Sequence, residues 1–359
     1  MKSTRFRQHI VSGLCIAATV AATGCNIHLA GCGQTRYERT TTARQPLAAG
    51  STLDVETASG SISITGADVA DCEVVATITA HAPTEAEAQE LAEQVTITMA
   101  SIGETLKVRA DRPKTGTNRS IGISYRIVVP RRTNIRCHSS YGRLDLADIE
   151  GSIVGRTSSG SVRARNVRGS TDLSSSYGSI TCERFSEGDL TLKTSSGRID
   201  ISDATFGRCD AGTSYGSVSG RSLRGETITF RSSSGSIELI DGTADAIDLS
   251  TSYGRVAARP ITVGELRATS GSGSLDIVCA DDCPPELTAH VKSSYGSVQF
   301  TAPPTFAGRV HLGTNHGSVR TDRPITIRGQ IGKTKIEGAI GEGRGNLRIE
   351  TSSGSVTLR

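Results

Sequence analysis

Four carboxylates stand three residues after a recurring glycine: Asp145, Asp200, Glu238 and Asp276. Acidic side chains converging on one face are what glycosidic cleavage needs, one protonating the leaving oxygen while another activates water or attacks the sugar. If each glycine marks one coil of a stacked fold, Glu238 and Asp276 lie two coils apart, roughly 9–10 Å, a separation compatible with an inverting pair. The column between them is not acidic: Arg163, Thr181, Ser219 and Ala257 interrupt it. These carboxylates therefore read as solvent-facing strand residues. His81, His138, His290, His311 and His316 are scattered without the spacing of metal ligands, and Ser is abundant only as a letter of the repeat. A polysaccharide-active β-helix enzyme, lyase or hydrolase, is kept as the alternative function. No catalytic residue, metal or cofactor is assigned.

The element that must position any such residues is the repeat itself. A motif of the form SSGS or SYGS recurs with its glycine at Gly142, Gly160, Gly178, Gly197, Gly216, Gly235, Gly254 and Gly273, a step of 18 or 19 residues. Looser copies fall at Gly296, Gly317 and Gly354, and one isolated copy at Gly60. The residues seven and five before each glycine, and two and four after it, are apolar: Leu190, Leu192, Ile199 and Ile201 around Gly197, for example. Across all copies only Gly155, Thr171, Gly220 and Thr321 depart from apolar, Ala or Cys. Spacing by two on each side of a glycine means two short strands with one inward face, joined at a corner. A further apolar point seven after the glycine (Ile149, Val167, Phe185, Leu223, Ile261) and a second glycine beyond it close the coil. The expected fold is mainly β: a parallel β-solenoid, or β-helix, of about 12–13 coils with a small α/β cap near the N-terminus.

The residue before the glycine alternates Tyr141, Ser159, Tyr177, Ser196, Tyr215, Ser234, Tyr253, Ser272, Tyr295. Strand parity would turn these rings inward, and the alternation reads as corner packing, each ring covering a small Ser neighbour, rather than as a recognition stripe. A binding site is expected instead where the rhythm breaks: the α/β insertion, the CADDCPP loop, or a degenerate coil with Gly332 as its corner.

Residues 1–24 read as a lipoprotein-type signal peptide. Lys2, Arg5 and Arg7 precede an apolar stretch, Ile10 to Ala22, too short to span a bilayer. Cys25, ending ATGC, is the expected lipid-bearing residue, with Cys32, ending LAGC, as the alternative. Removing residues 1–24 takes away three positive charges and lowers the net charge from +4 to about +1, so no basic surface argues for nucleic acid. The chain is expected to be exported and lipid-anchored to the cell envelope, facing the periplasm or the cell surface. Cys137, Cys182 and Cys209 fall in inward columns and read as small buried hydrophobes. Cys279 and Cys283 bracket the insertion in a 23-residue coil and are the best candidates for a disulfide, which export permits. A metal site on this C-x3-C is the weaker alternative, since no second Cys or His pair lies near.

Four segments follow: 1–24 signal, 25–50 a polar tether, 51–134 the first coil with the α/β insertion, and 135–359 the solenoid. In the insertion, Pro83, Thr84 and Glu87 resemble a helix start, and Ala88, Leu91, Ala92 and Val95 share one helical face. Its expected role is to cap the first coil, whose edge would otherwise pair with other chains. The far end stops at Arg359 in mid-strand, so the last coil is expected to offer an open edge for end-to-end self-association.

The run YERT…LAAGSTLDVETASGSISITGADV, the strand–helix–strand insertion, the IVVP strand and the SSGSI/SYGSV repeats together resemble a bacterial family of unknown function known as putative adhesins. It is similar to the head domain of putative auto-transporter adhesins. The resemblance spans about residues 37–359 and implies a β-solenoid at the cell envelope. A surface glycan or protein is the expected partner. It brings no catalytic or binding residues. The expected function is a non-enzymatic envelope lipoprotein acting as an adhesin-like or scaffolding rod.

Overall fold

The computed structural model describes residues 35–327 and 332–359. The candidate lipid cysteines Cys25 and Cys32, and the signal segment, lie outside the described residues. The described chain forms a 27-stranded sheet system and a helix, and almost all pairing beyond residue 134 is parallel, at a register of one repeat. Ile199 pairs with Val218, Val218 with Ile237, and Ile237 with Val256, so equivalent residues of successive coils stack into columns. The inward columns read from the sequence are all buried except Val319 and Thr321, at one end. Two departures in those columns have a packing reason. A Cβ on Gly155 would meet the Leu173 side chain at 2.9 Å, and one on Gly220 would meet the Phe230 ring at 2.8 Å, so each glycine leaves room for a larger neighbour.

After the second inward pair the strand parity resets. The residue six after the glycine adopts a left-handed backbone in six successive coils: Asp148, Asn166, Arg184, Asp203, Ser222 and Asp241. This kink returns the next residue to the interior, which is why Ile149, Val167, Phe185 and Leu223 are buried although strict alternation from the preceding strand would expose them. Asp and Asn tolerate this backbone better than most residues and fill four of the six positions.

The N-terminal end is capped as expected. Strands β1 (Thr35–Pro46), β2 (Thr52–Ser59), β3 (Ile62–Ala67) and β4 (Asp71–Ala82) precede helix α1 (Glu85–Glu93), followed by β5 (Thr96–Ile102), β6 (Thr105–Asp111) and β7 (Ser120–Pro130). β2 and β3 form the first coil, and their outer edges pair with β6 and β7. The Thr84 hydroxyl caps α1 by accepting from the Glu87 N–H, and Ala88, Leu91, Ala92 and Val95 are buried. The Glu87 carboxylate does not complete a capping box; it pairs with Arg119 at 2.7 Å. The expected tether is corrected over residues 35–46: this segment is β1, paired antiparallel with β4 along its whole length. Its Thr-rich composition is polar but β-branched, and it suits a strand with one half-covered face.

The C-terminal end departs from the sequence order. The last coil, Gly345–Leu358, does not sit at the end of the rod. Its strands lie between the coil of Thr288–Thr301 and the coil of Gly308–Thr321, with Leu347 paired to both Ala289 and Val310, and Val356 to both Val298 and Val319. The expected open edge at Arg359 is therefore absent, because this segment is paired on both sides. The outer edge belongs to Gly308–His316, and strand Lys335–Ile340 covers it by antiparallel pairing. Gly332 is not a stacked corner: a Cβ there would meet nothing closer than 3.8 Å, and the residues that follow it lead into this antiparallel cover.

Candidate binding edge

The repeat motif builds one edge of the rod. Its glycines stack directly: a Cβ on Gly216 would lie 1.9 Å from the Gly197 carbonyl oxygen, and one on Gly235 1.7 Å from that of Gly216. No side chain fits, so the corner can be turned only by glycine. Three residues before each glycine a Ser or Thr points inward and joins two coils. The Thr213 hydroxyl accepts from the Gly216 N–H at 3.2 Å and donates to the Gly197 carbonyl at 3.0 Å. The same pair of bonds recurs at Thr157, Ser175, Thr194, Ser232, Thr251, Ser270 and Ser293. Replacing Thr213 by Val keeps the shape but leaves the half-buried Gly216 N–H and the buried Gly197 carbonyl without this partner. Chemical denaturation should show a loss of about 1–3 kcal/mol; an unchanged midpoint would mean that the column contributes no stability.

This hydroxyl is the last inward residue before the turn, and it decides where the tyrosines go. The chain bends immediately after it, so the residue before the glycine faces out. Tyr141, Tyr177, Tyr215, Tyr253 and Tyr295 are 68–72% exposed, and none of their phenol hydroxyls bonds within the described residues. The inward packing suggested by parity is thus corrected: the rings form an exposed file along one edge. The reordered last coil completes the pattern. His316 pairs with Ser353, and Gly354 stacks between Gly296 and Gly317, so the file in space runs Tyr295, Ser353, His316. Rings occupy alternate coils along the whole stack from Tyr141 to the end, a regularity hidden in the sequence, where His316 follows Tyr295 directly. The flanks are polar: Ser176, Ser195, Ser214 and Ser233 on one side, and on the other Ser179, Ser217 and Ser236 together with Arg143, Arg198 and Arg255.

The other candidates do not assemble a site. Glu238 and Asp276 do share a column, with Ala257 between them, but Asp276 is held by Arg255 at 2.7 Å and Arg259 at 3.2 Å. Asp200 shares that column, and burial pushes its carboxyl above the usual range. A polar trench of about 510 Å³ runs along the left-handed residues, lined among others by Arg131, Asp148, Glu150, Arg168, Arg184 and Asp203. Much of its lining is already paired: Asn166 donates to Asp148 at 2.8 Å, Arg184 to Asn166, and Arg168 to Glu187. His311 lies between Glu337 at 2.8 Å and Glu350 at 3.1 Å, near the antiparallel cover. Among the described residues no group of three His, Cys, Asp or Glu side chains could hold a metal ion.

The Cys279–Cys283 disulfide is not formed; both are buried free thiols. In this stretched coil Cys283 replaces part of the regular ladder, its thiol donating to the Ile261 carbonyl at 3.1 Å and accepting from the Val263 N–H at 3.3 Å. The neighbouring Cys279 thiol, with backbone hydrogen bonds from Val263 and Ala280, holds the Cys283 thiol below its usual range, while Cys279 is pushed up. Cys137 and Cys182 are buried in the inward columns, where desolvation raises each thiol to about 12, and Cys209 is raised in the same way. All three serve as small apolar residues.

Fold and edge together define a class: a capped parallel β-solenoid with one exposed aromatic file. The chain belongs to the Toastrack DUF4097 family, whose sequence profile matches residues 180–359. Three solved structures are similar at low identity. A putative cell adhesion protein from Clostridium sporogenes is 10% identical, the match covering 89% of this chain and 99% of that one, with a TM-score of 0.21. A putative adhesin from Bacteroides fragilis is 13% identical over 89% and 97%, with a TM-score of 0.27. A putative lipid binding protein from Parabacteroides distasonis is 12% identical over 89% and 96%, with a TM-score of 0.32. No curated protein matches the chain.

Proposed function

We propose that this chain is a non-enzymatic, exported envelope protein, lipid-anchored through Cys25, with Cys32 as the alternative, that binds a surface partner along its tyrosine edge. The observation that carries this reading is the file of five tyrosines, each about 70% exposed and without an internal partner. Phenol rings combine an apolar face with a polar tip, and they lose little side-chain entropy on binding, so a regular row of them suits recognition. Among the described residues, the other exposed large apolar side chains are Val69 and Ile102, both in the cap region. The anchor reading rests on the basic start, the short apolar stretch and the ATGC sequence.

The test uses the full chain with Tyr177, Tyr215 and Tyr253 all replaced by Ser, the residue that the same corner position carries in the alternating coils. The variant should melt like the wild type and lose retention on intact bacterial cells or their envelopes. In parallel, Cys25→Ser should move the chain from the membrane fraction to the soluble fraction, whereas Cys32→Ser should not. Equal retention of the tyrosine variant would overturn the edge as the binding surface, and an unmoved Cys25→Ser chain would overturn Cys25 as the anchor.

A further inference from the structure

We infer that the tyrosine edge takes an extended β-1,4-linked glycan lying along the rod, with every second sugar stacked on a ring; the inference rests on the reading of the edge as a binding surface. Rings stand on alternate coils, from Tyr141 through Tyr295 to His316. Two coils of a parallel stack are about 9–10 Å apart, and an extended β-1,4-linked glycan presents the same face of its chain every second sugar, also about 10 Å. In such a chain successive sugars are rotated by about half a turn, so a binding surface of alternating character suits it better than a uniform one.

The residues between the rings fit the intervening sugars. Ser159, Ser196, Ser234 and Ser272 occupy the same corner position and are exposed. A sugar over one of them meets a low, hydroxyl-bearing surface that can donate and accept, while the next sugar lays its C–H face on a phenol ring, whose face carries the negative part of the quadrupole. The flanking Ser176, Ser195, Ser214 and Ser233 extend this hydroxyl-rich border. The residues around the rings are polar, mostly Ser with Arg143, Arg198 and Arg255 at three corners, so they offer hydrogen-bond donors to sugar hydroxyls rather than an apolar border. The phenol hydroxyls, unpaired among the described residues, remain available to sugar hydroxyls. Four steps from Tyr141 to Tyr295 span roughly 40 Å, enough for about eight sugars.

The experiment is affinity electrophoresis or calorimetry of the full chain with cellohexaose, chitohexaose and maltohexaose. Either β-1,4-linked hexasaccharide should bind, and the α-linked maltohexaose, whose chain curves away from a straight file, should bind at least about tenfold more weakly. The Tyr177, Tyr215 and Tyr253 to Ser variant should lose the β-linked hexasaccharide by a similar factor while keeping its melting temperature. Single substitution at Tyr141, near the end of the file, should cost a hexasaccharide little, because it still spans the three central rings. Equal binding of the α- and β-linked chains, or no binding of either β-linked chain, overturns the glycan. If the variant nevertheless loses cell retention, the edge stands as a binding surface for another partner; if it loses neither, both readings fall. A wild-type dimer in sedimentation that the variant abolishes would assign the edge to a second copy of this chain and also overturn the glycan.

Discussion

Gly216→Ala should unfold the solenoid. The added Cβ would lie 1.9 Å from the Gly197 carbonyl oxygen, where ordinary contact needs roughly 3.5 Å. Relief requires the two coils to part by more than an ångström at the corner. That movement breaks the Thr213 bridge to Gly197 and the bonds from the Ser214 and Tyr215 N–H groups to the Ser195 carbonyl at 3.1 and 3.0 Å. The obstacle is backbone on both sides, so no side chain can rotate away. A loss of about 4 kcal/mol or more is expected, enough to remove most of a domain's stability. Gly212→Ala is the matched control four residues earlier. A Cβ there meets nothing within 4 Å, and the change should be neutral or slightly stabilising. Thermal melts of the two variants decide the matter. A Gly216→Ala protein melting with the wild type would mean that the corner is not closed by stacked glycines.

Deleting residues 345–359 is the second large perturbation. If the last coil stood at the end of the rod, its removal would only shorten the molecule. Because it lies inside the stack, deletion separates the coil at Thr288–Thr301 from the coil at Gly308–Thr321. Leu347, Ile349, Val356 and Leu358, all fully buried, would vanish from between them. Ladder bonds such as Val298 N–H to Ser355 oxygen at 2.9 Å, and the Thr351 hydroxyl to the Gly296 carbonyl at 2.8 Å, would go too. Two unpaired strand edges would face each other across the gap. Hydrogen exchange should show residues 288–321 losing protection, with aggregation at high concentration, while the coils before Ser270 stay protected. Retained protection across 288–321 would show that the two coils stack directly and that the inserted order is wrong.

The coil was legible in the sequence because its determinants are local and periodic. Two strands and a corner recur every 18 or 19 residues, and parallel stacking turns that period into columns. Leu190, Leu192, Ile199 and Ile201 could be placed without any structure. The cap helix was legible for the same reason, its start and apolar face being written within a dozen residues. The features that escaped depend on where a turn begins or on which chain neighbour wins a pairing. Parity projected the tyrosines inward because it counts through the hydroxyl residue, yet the chain bends at that residue. The position of the last coil depends on a competition between Gly308–His316 and Asn346–Ser353 for the same edge at Thr288–Ser293, and both segments carry the same apolar spacing. A binding edge was therefore set aside in favour of the irregular loops. The regular part of the molecule holds the better candidate.

The most direct test of the account is a tyrosine footprint. Nitration of the free chain should modify Tyr177, Tyr215 and Tyr253, which are 70–72% exposed, and spare the buried Tyr125. In the presence of intact bacterial envelopes, the same three rings should be protected together, with unbound chain removed before the reagent is added. Protection of that file, and not of Tyr37 in β1, is the predicted result. Full modification of all three rings in envelope-bound chain would contradict the claim that this edge is the recognition surface.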